Sequence, residues 1–231
     1  LVQENGFELE NLPEEFKKDK EVVLEAIKNT AYAFEYADDS LKKDKEIVLI
    51  AVKQNGSGLE YVDDSLKKDK EVVLEAIRND AYAYRYADES LKKDKEIILI
   101  TIKDYGGALQ YADDSFKKDK KIVLKAVKEE GIYLEYADDS LKKDKEIVLE
   151  AVKQSGFALQ YADDSFKKDK EIVREAVKQN RNADQYADES LKEYIKANFL
   201  NYILKGPELN YFDYSIDLKE INSKEKLSKH L

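Results

Sequence analysis

Apolar residues fall along this chain in compact blocks, as in Ile147, Val148, Leu149, Ala151 and Val152. Positions i, i+1, i+2, i+4 and i+5 form a wide stripe on a helix, wider than one core-facing surface needs. The pattern therefore predicts a helix contacted from two sides. A second, shorter apolar cluster follows each block, as in Ala158-Leu-Gln-Tyr-Ala162, and predicts a second short helix. Between one pair and the next lies a polar run, Asp-Asp-Ser-(Leu/Phe)-Lys-Lys-Asp-Lys.

This arrangement recurs every 25 residues without insertion or deletion, starting at Phe16, Leu41, Leu66, Leu91, Phe116, Leu141 and Phe166. A fixed period in this range is the signature of a solenoid or array. We number each copy from that Phe or Leu as position 1. Position 4 is always Asp and suits a helix N-cap, with Lys-Glu opening the first turn in most copies. Positions 7, 8 and 12 are always Val or Ile. Position 13 is Lys or Arg, where the helix dipole favours a cation. Gly at position 16 (Gly56, Gly106, Gly131, Gly156) reads as the helix stop. Position 21 is Tyr, 23 is Asp and 25 is Ser.

Twenty-five residues cannot bury such faces alone, so neighbours must stack and the end copies must differ. The prediction is an all-α fold, a right-handed or superhelical α-solenoid of 25-residue two-helix repeats with a divergent C-terminal cap. Residues 1–15 form a partial N-terminal repeat, 16–190 seven tandem copies, and 191–231 a divergent eighth copy with a cap or tail. Tyr211, Asp213 and Ser215 keep the repeat spacing there. At about 8–10 Å per packed helix layer, eight copies would make a rod on the order of 70 Å long.

Composition narrows the chemistry. Charged residues are 39% of the 231, with no Cys, no Met and no Trp. Without Cys there is no thiolate nucleophile and no Cys-ligated zinc or iron–sulfur site. The single histidine, His230, argues against a His-based triad or a multi-His metal site. The net charge of −10 opposes direct nucleic-acid or anionic-membrane binding and favours a basic protein partner. No apolar run approaches the length of a membrane span. The expectation is a non-enzyme without cofactors, located in the cytoplasm or delivered to a host cytosol.

Leu141, Asp144, Lys145, Glu146, Val148, Leu149, Ala151, Val152, Lys153, Gly156, Ala158, Leu159, Tyr161 and Ala162 carry a motif that resembles the domain-of-unknown-function family numbered 4116. That family's unit spans about two of these copies, and the resemblance covers roughly residues 1–192. It implies a helical repeat found in bacteria and some viruses, and it supplies no catalytic residues.

Three features remain as candidate chemistry. The Asp-Asp-Ser turns, such as Asp38-Asp39-Ser40, offer paired carboxylates for a hard cation or for glycosidase-type acid/base work. Their repetition at every layer, and the absence of a calcium-loop spacing, point instead to helix capping and pairing with the following lysines. The position-21 tyrosines (Tyr36, Tyr61, Tyr86, Tyr111, Tyr136, Tyr161, Tyr186, Tyr211) read as rings buried between layers, with a stacking platform as the sharper alternative. The variable positions are the candidates for partner contact: Tyr32, Tyr82, Ile132 and Phe157 at position 17, Ile50 and Ile100 at position 10, and Tyr105 at position 15. Copy seven departs three times, with Arg174 at position 9, Arg181 at position 16 and Asp184 at position 19. Positions 9 and 19 are apolar elsewhere, so Arg174 and Asp184 are expected to face one interior as a charged pair.

The sequence thus favours a non-catalytic protein-binding scaffold with an extended acidic surface. Two alternatives stand beside it: an acidic decoy that fills the nucleic-acid-binding channel of another protein, as from a virus or mobile element, and the repeat arm of a larger enzyme or effector.

Overall fold

The structure, a computed structural model, describes residues 1–196. Leu1–Lys192 forms one unit, and Glu193–Leu231 a second of which only 193–196 are described. The predicted cap with Gly206, Pro207, Tyr211, Asp213, Ser215 and His230 lies outside the described residues.

Six of the seven copies contain three elements, not two, and in the third a turn at 64–68 takes the place of the one-turn helix. In copy two these are a one-turn α-helix (Asp39–Lys42), a ten-residue α-helix (Lys45–Gln54) and a six-residue 3-10 helix (Gly56–Tyr61). Long helix and 3-10 helix alternate from Gly6 to Tyr186, and no strand occurs among the described residues. The second predicted helix is therefore 3-10, for a reason visible in the pattern. Its buried residues include a row three apart at positions 16, 19 and 22, as in Gly56, Leu59 and Val62, with position 18 buried beside it, as in Gly58. A 3-10 helix has three residues per turn and aligns such a row on one face. An α-helix would spread it.

Position 4 caps the long helix as expected. Asp69 Oδ1 accepts from the N–H of Glu71 at 3.0 Å and of Val72 at 3.3 Å. Asp at position 23 caps the one-turn helix: Asp38 Oδ1 accepts from the Ser40 N–H at 3.0 Å and hydroxyl at 2.6 Å. Position 24 pairs with the lysine three residues on, as in Asp64–Lys67 at 3.3 Å. The Asp-Asp-Ser turns are thus employed in capping and in pairing with the lysines.

The core is built from positions 7, 8, 11 and 12 of the long helix with 18, 19 and 22 of the 3-10 helix. Ile97, Ile98, Ile102, Ala108 and Leu109 are essentially inaccessible. Position 9 is only half-buried in copies one to six, at the margin of the stripe. The principal contacts run between elements of the same or consecutive copies, as in a one-dimensional stack.

The glycines at position 16 are not in the left-handed region. The residue before them ends the long helix in extended conformation, as Asn55 does at φ −146°. Gly is present because the next layer is close. A Cβ on Gly56, Gly131 or Gly156 would run into the carbonyl oxygen of Ala76, Ala151 or Ala176, on the following long helix. At every second interface the same backbone is also bonded across. The Gly6 N–H donates to Asn29 Oδ1 at 2.8 Å and the Gly56 N–H to Asn79 Oδ1 at 2.7 Å, while Glu129 and Gln179 accept from Gly106 and Gly156. The amide of Asn79 returns a bond to the Lys53 carbonyl at 2.9 Å.

Along the other edge runs a ladder of ion pairs. The lysine at position 5 reaches the Asp at position 4 and the Glu at position 6 of the next copy. Lys70 lies 2.7 Å from both Asp94 and Glu96, and Lys20, Lys45, Lys120 and Lys145 repeat the pattern. From Asp44 to Asp169 each Asp that caps a long helix thus also receives a lysine from the layer before it. Copy five carries Lys121 at position 6, so Lys95 keeps only Asp119 in this ladder, at 3.0 Å, and is 62% exposed against 40% for Lys70. Exposed pairs are worth about 0–1 kcal/mol each. Burying one Val, Leu or Ile stabilises by about 1.5–3 kcal/mol. The apolar strip holds the stack, and the ladder sets the register of its rim.

Copy seven does not form the predicted pair. The Arg174 side chain is 61% exposed and lies 3.6 Å from Glu175, while Asp184 is exposed. Because position 9 sits at the stripe margin, a long cation there turns outward and keeps its hydration. A buried Arg–Asp pair would have to recover the desolvation of both ions.

Candidate functional site

The 3-10 helices end on the position-21 tyrosines, which therefore line up on one edge of the stack. Tyr36, Tyr61, Tyr86, Tyr111, Tyr136, Tyr161 and Tyr186 are all half-buried, neither sealed in the core nor lying free on the surface. The residue just before each one, position 20, is Glu or Gln in every copy except the third. Burial pushes the hydroxyl pKa up at Tyr61, and the Glu35 carboxylate of the preceding copy pushes it further. Glu135 does the same to Tyr161, and Tyr86 is raised to about 12 by burial and by Glu60. Tyr61, Tyr86 and Tyr161 thus each meet the position-20 carboxylate of the preceding copy at the hydroxyl. Glu10, Glu35, Glu60 and Glu135 are exposed.

Copies three to five break this regularity together. Arg85 occupies position 20, and its guanidinium lies 4.7 Å from the ring centre of Tyr82, 5.0 Å from Tyr86 and 5.6 Å from Tyr111. It also donates to the Tyr82 hydroxyl. Tyr82 meets Tyr105 at 5.7 Å and Tyr111 edge-on at 6.5 Å. Tyr105 meets Tyr133 at 6.3 Å, and Tyr133 stacks on Tyr136 at 6.3 Å. The result is a continuous band of six tyrosines and one arginine across three layers. Burial raises the Tyr105 hydroxyl to about 12. Tyr133 takes a position that is Ala or Gly in the six other full copies, and it fits because Gly106 leaves room: a Cβ there would lie 2.8 Å from the ring. In the core of the same region the Tyr84 hydroxyl donates to the Lys92 carbonyl at 3.0 Å. In the six other copies that carbonyl accepts from the position-23 N–H instead.

The structure brings Tyr82 and Tyr105 together and separates the other predicted contacts. Tyr32, 56% exposed, stacks on Phe7 at 6.5 Å near the N-terminal end. Phe157 meets Tyr186 edge-on at 6.1 Å. Ile132 is half-buried beside Tyr133, Ile50 and Ile100 are half-buried on the long helices, and Arg181 is exposed at the start of the 3-10 helix Arg181–Tyr186. Arg85 and Tyr133 escaped sequence reasoning, although each is the sole departure at its position among the copies. The comparison that singled out Arg174 contains the same signal for both.

Among the described residues no group of three or more His, Asp or Glu could hold a metal ion, and no helix is long and apolar enough to cross a membrane. Two open depressions, of 360 and 340 Å³, lie beside Tyr161 and Tyr86 and are lined largely by Lys and Asp. A small-molecule site is usually an enclosed apolar cleft with a few convergent polar groups.

The family model described as Domain of unknown function (DUF4116) matches residues 1–42, 44–92, 94–142 and 144–192. The chain belongs to this family. Comparison with curated proteins and with solved structures finds no match. The DUF4116 unit is about twice the 25-residue period, and the structure gives a physical basis for the doubling. Each matched span encloses one of the alternate cross-layer bonds: Gly6 to Asn29, Gly56 to Asn79, Gly106 to Glu129 and Gly156 to Gln179. Within a DUF4116 unit the two copies are tied through the backbone of the 3-10 helix.

Proposed function

We propose that this tandem repeat is a non-catalytic scaffold that binds a protein partner with a basic surface along its tyrosine edge. The observation that carries the reading is the unlike treatment of charge on the two edges. On the lysine edge nearly every acid meets a lysine within the stack. On the tyrosine edge the carboxylates of Glu10, Glu35, Glu60 and Glu135 are exposed beside half-buried rings. Rings that keep part of their area for a partner, flanked by exposed carboxylates that accept from tyrosine hydroxyls, suit a protein interface. The chain's net charge of −10 would speed encounter with a cationic partner.

The test compares the immobilised chain with a variant carrying Glu35→Lys, Glu60→Lys and Glu135→Lys. A basic partner is retained from native lysate at about 0.15 M salt, where screening is incomplete, is released by high salt, and is lost by the variant. Equal retention on both columns would overturn the reading. A retained partner that is displaced by RNA or DNA would identify the chain as an acidic decoy for a nucleic-acid-binding channel.

A further inference from the structure

Asn followed by Gly occurs twice in the chain, at Asn5-Gly6 and Asn55-Gly56. Both pairs stand at positions 15 and 16, on the seam between layers. Gly has no side chain to shield its backbone nitrogen, so that nitrogen can attack the carboxamide carbon of the Asn before it. The bond from Gly N to Asn Cγ forms, the Cγ–Nδ2 bond breaks, and ammonia leaves with the proton of the Gly N–H. Water then opens the five-membered imide at one carbonyl or the other, leaving aspartate or isoaspartate. Asn5 is exposed and Asn55 half-buried, so water reaches both.

In the folded stack the reacting groups are engaged elsewhere. The Gly56 N–H donates to Asn79 Oδ1 at 2.7 Å, and Asn79 Nδ2 donates to the Lys53 carbonyl at 2.9 Å. The Asn79 amide thus grips the backbone on both sides of Asn55. Asn55 Oδ1 accepts in turn from the Ser57 N–H at 3.1 Å, beyond the glycine. Asn29 repeats the grip on the Gly6 N–H and the Gln3 carbonyl, at 2.8 and 3.2 Å, and Asn5 Oδ1 accepts from the Phe7 N–H at 3.1 Å. At both seams the nitrogen that would attack keeps its proton in a bond to a neutral amide, which does not act as a base. A carboxylate, Glu129, faces Gly106 instead, but the residue before that glycine is Tyr105, which has no carboxamide.

We propose that Asn5 and Asn55 are self-modification sites kept unreacted by the Asn29 and Asn79 amides, and that separation of the paired copies starts the reaction. The seam has no room for the isoaspartate product. It lengthens the backbone by one carbon directly before Gly56, at a place too close to the Ala76 carbonyl to admit even a methyl group. Each event therefore records an opening of the layers and prevents the same closure.

The experiment incubates the full chain, folded or in urea, at mildly alkaline pH and follows aspartate and isoaspartate by mass spectrometry. Trypsin places the two sites in separate peptides. Both should react at least about tenfold more slowly in the folded chain, where the reaction needs local opening. Asn79→Ala should speed Asn55 about tenfold and leave Asn5 unchanged, and Asn29→Ala should do the reverse, since each removes one grip only. Asn79→Gln should keep Asn55 slow, because Gln179 makes a like pair of bonds, to the Gly156 N–H at 2.5 Å and the Gln154 carbonyl at 3.1 Å. Circular dichroism checks that each variant folds. Should Asn79→Ala fail to fold, Asn29→Ala, in the first full copy, carries the same test at Asn5. Equal rates in the folded chain and in urea overturn the proposal. So does a folded alanine variant with no acceleration at its own site, or with equal acceleration at both.

Discussion

The two edges of the stack repeat with the same 25-residue period and yet are built on opposite principles. On the lysine edge, Lys70, Asp94 and Glu96 satisfy one another across the layer boundary, and Asp94 also caps its own helix. Little is left over for another molecule. On the tyrosine edge, close backbone approach does the joining: Gly131 sits against the Ala151 carbonyl. The side chains above that seam, Tyr136 and Glu135, remain partly or wholly in solvent. Invariance within an array therefore has two meanings. The invariant Asp at position 4 is consumed by the fold, whereas the invariant Tyr at position 21 is only half consumed.

Acid separates the edges most strongly. Asp69, Asp94, Asp119 and Asp144 are held below the usual carboxylate range by the lysines of the preceding copies. Asp63, Asp88 and Asp138 are held low by the serine hydroxyl and N–H they cap. A folded pKa below the unfolded value of about 3.9 means stability that is complete above that value and lost as pH falls through the depressed ones. The thermal midpoint, followed by circular dichroism, should be flat above about pH 5 and fall steadily below about pH 4. Replacing Asp94 with Asn should make that fall shallower, because one linked carboxylate is gone.

The tyrosine edge breaks by sterics instead. Gly131→Ala places a methyl group on the Ala151 carbonyl, and overpacking of this kind costs on the order of 1–3 kcal/mol. Urea denaturation should show that loss, with little change for Ala81→Gly, at a position where the stack already accommodates a methyl. A smaller effect tests the lysine edge. Lys121→Glu restores the missing second acid opposite Lys95 and places a negative charge in the first helical turn. A gain of about 0.5 kcal/mol is expected at low salt, fading at high salt. No gain at low salt would mean that the ladder only decorates the rim.

Much of this was legible in the sequence. The period, the Asp caps, the long helices and the all-α layering follow from residues such as Asp69, Val72, Val73, Ala76 and Ile77 read at fixed spacing. The type of the second helix was legible as well, in the three-residue spacing of Gly56, Leu59 and Val62, but an α-helical template hides it. The role of Gly at position 16 was not legible. A helix-stop glycine and a close-contact glycine look alike in one dimension, and only the neighbouring carbonyl tells them apart. Arg174 and Asp184 were paired because both stand in apolar columns. One column is half-exposed, and that depends on how far the next layer overlaps it.

The candidate site divides in the same way. Tyr82, Tyr105 and the tyrosine column could be named from sequence, because each is a residue type at a repeat position. The band they form with Arg85 and Tyr133 could not, because it joins positions 15, 17, 18, 20 and 21 of three copies. By itself the sequence determined the repeating unit, its caps and its alternation of apolar and charged positions, since these are local matters of helix chemistry. The tertiary structure decided which charges are neutralised, which rings keep a free face and where glycine is obligatory. Those depend on distances across the layer boundary, between residues some 25 positions apart, and such distances exist only once the layers are stacked.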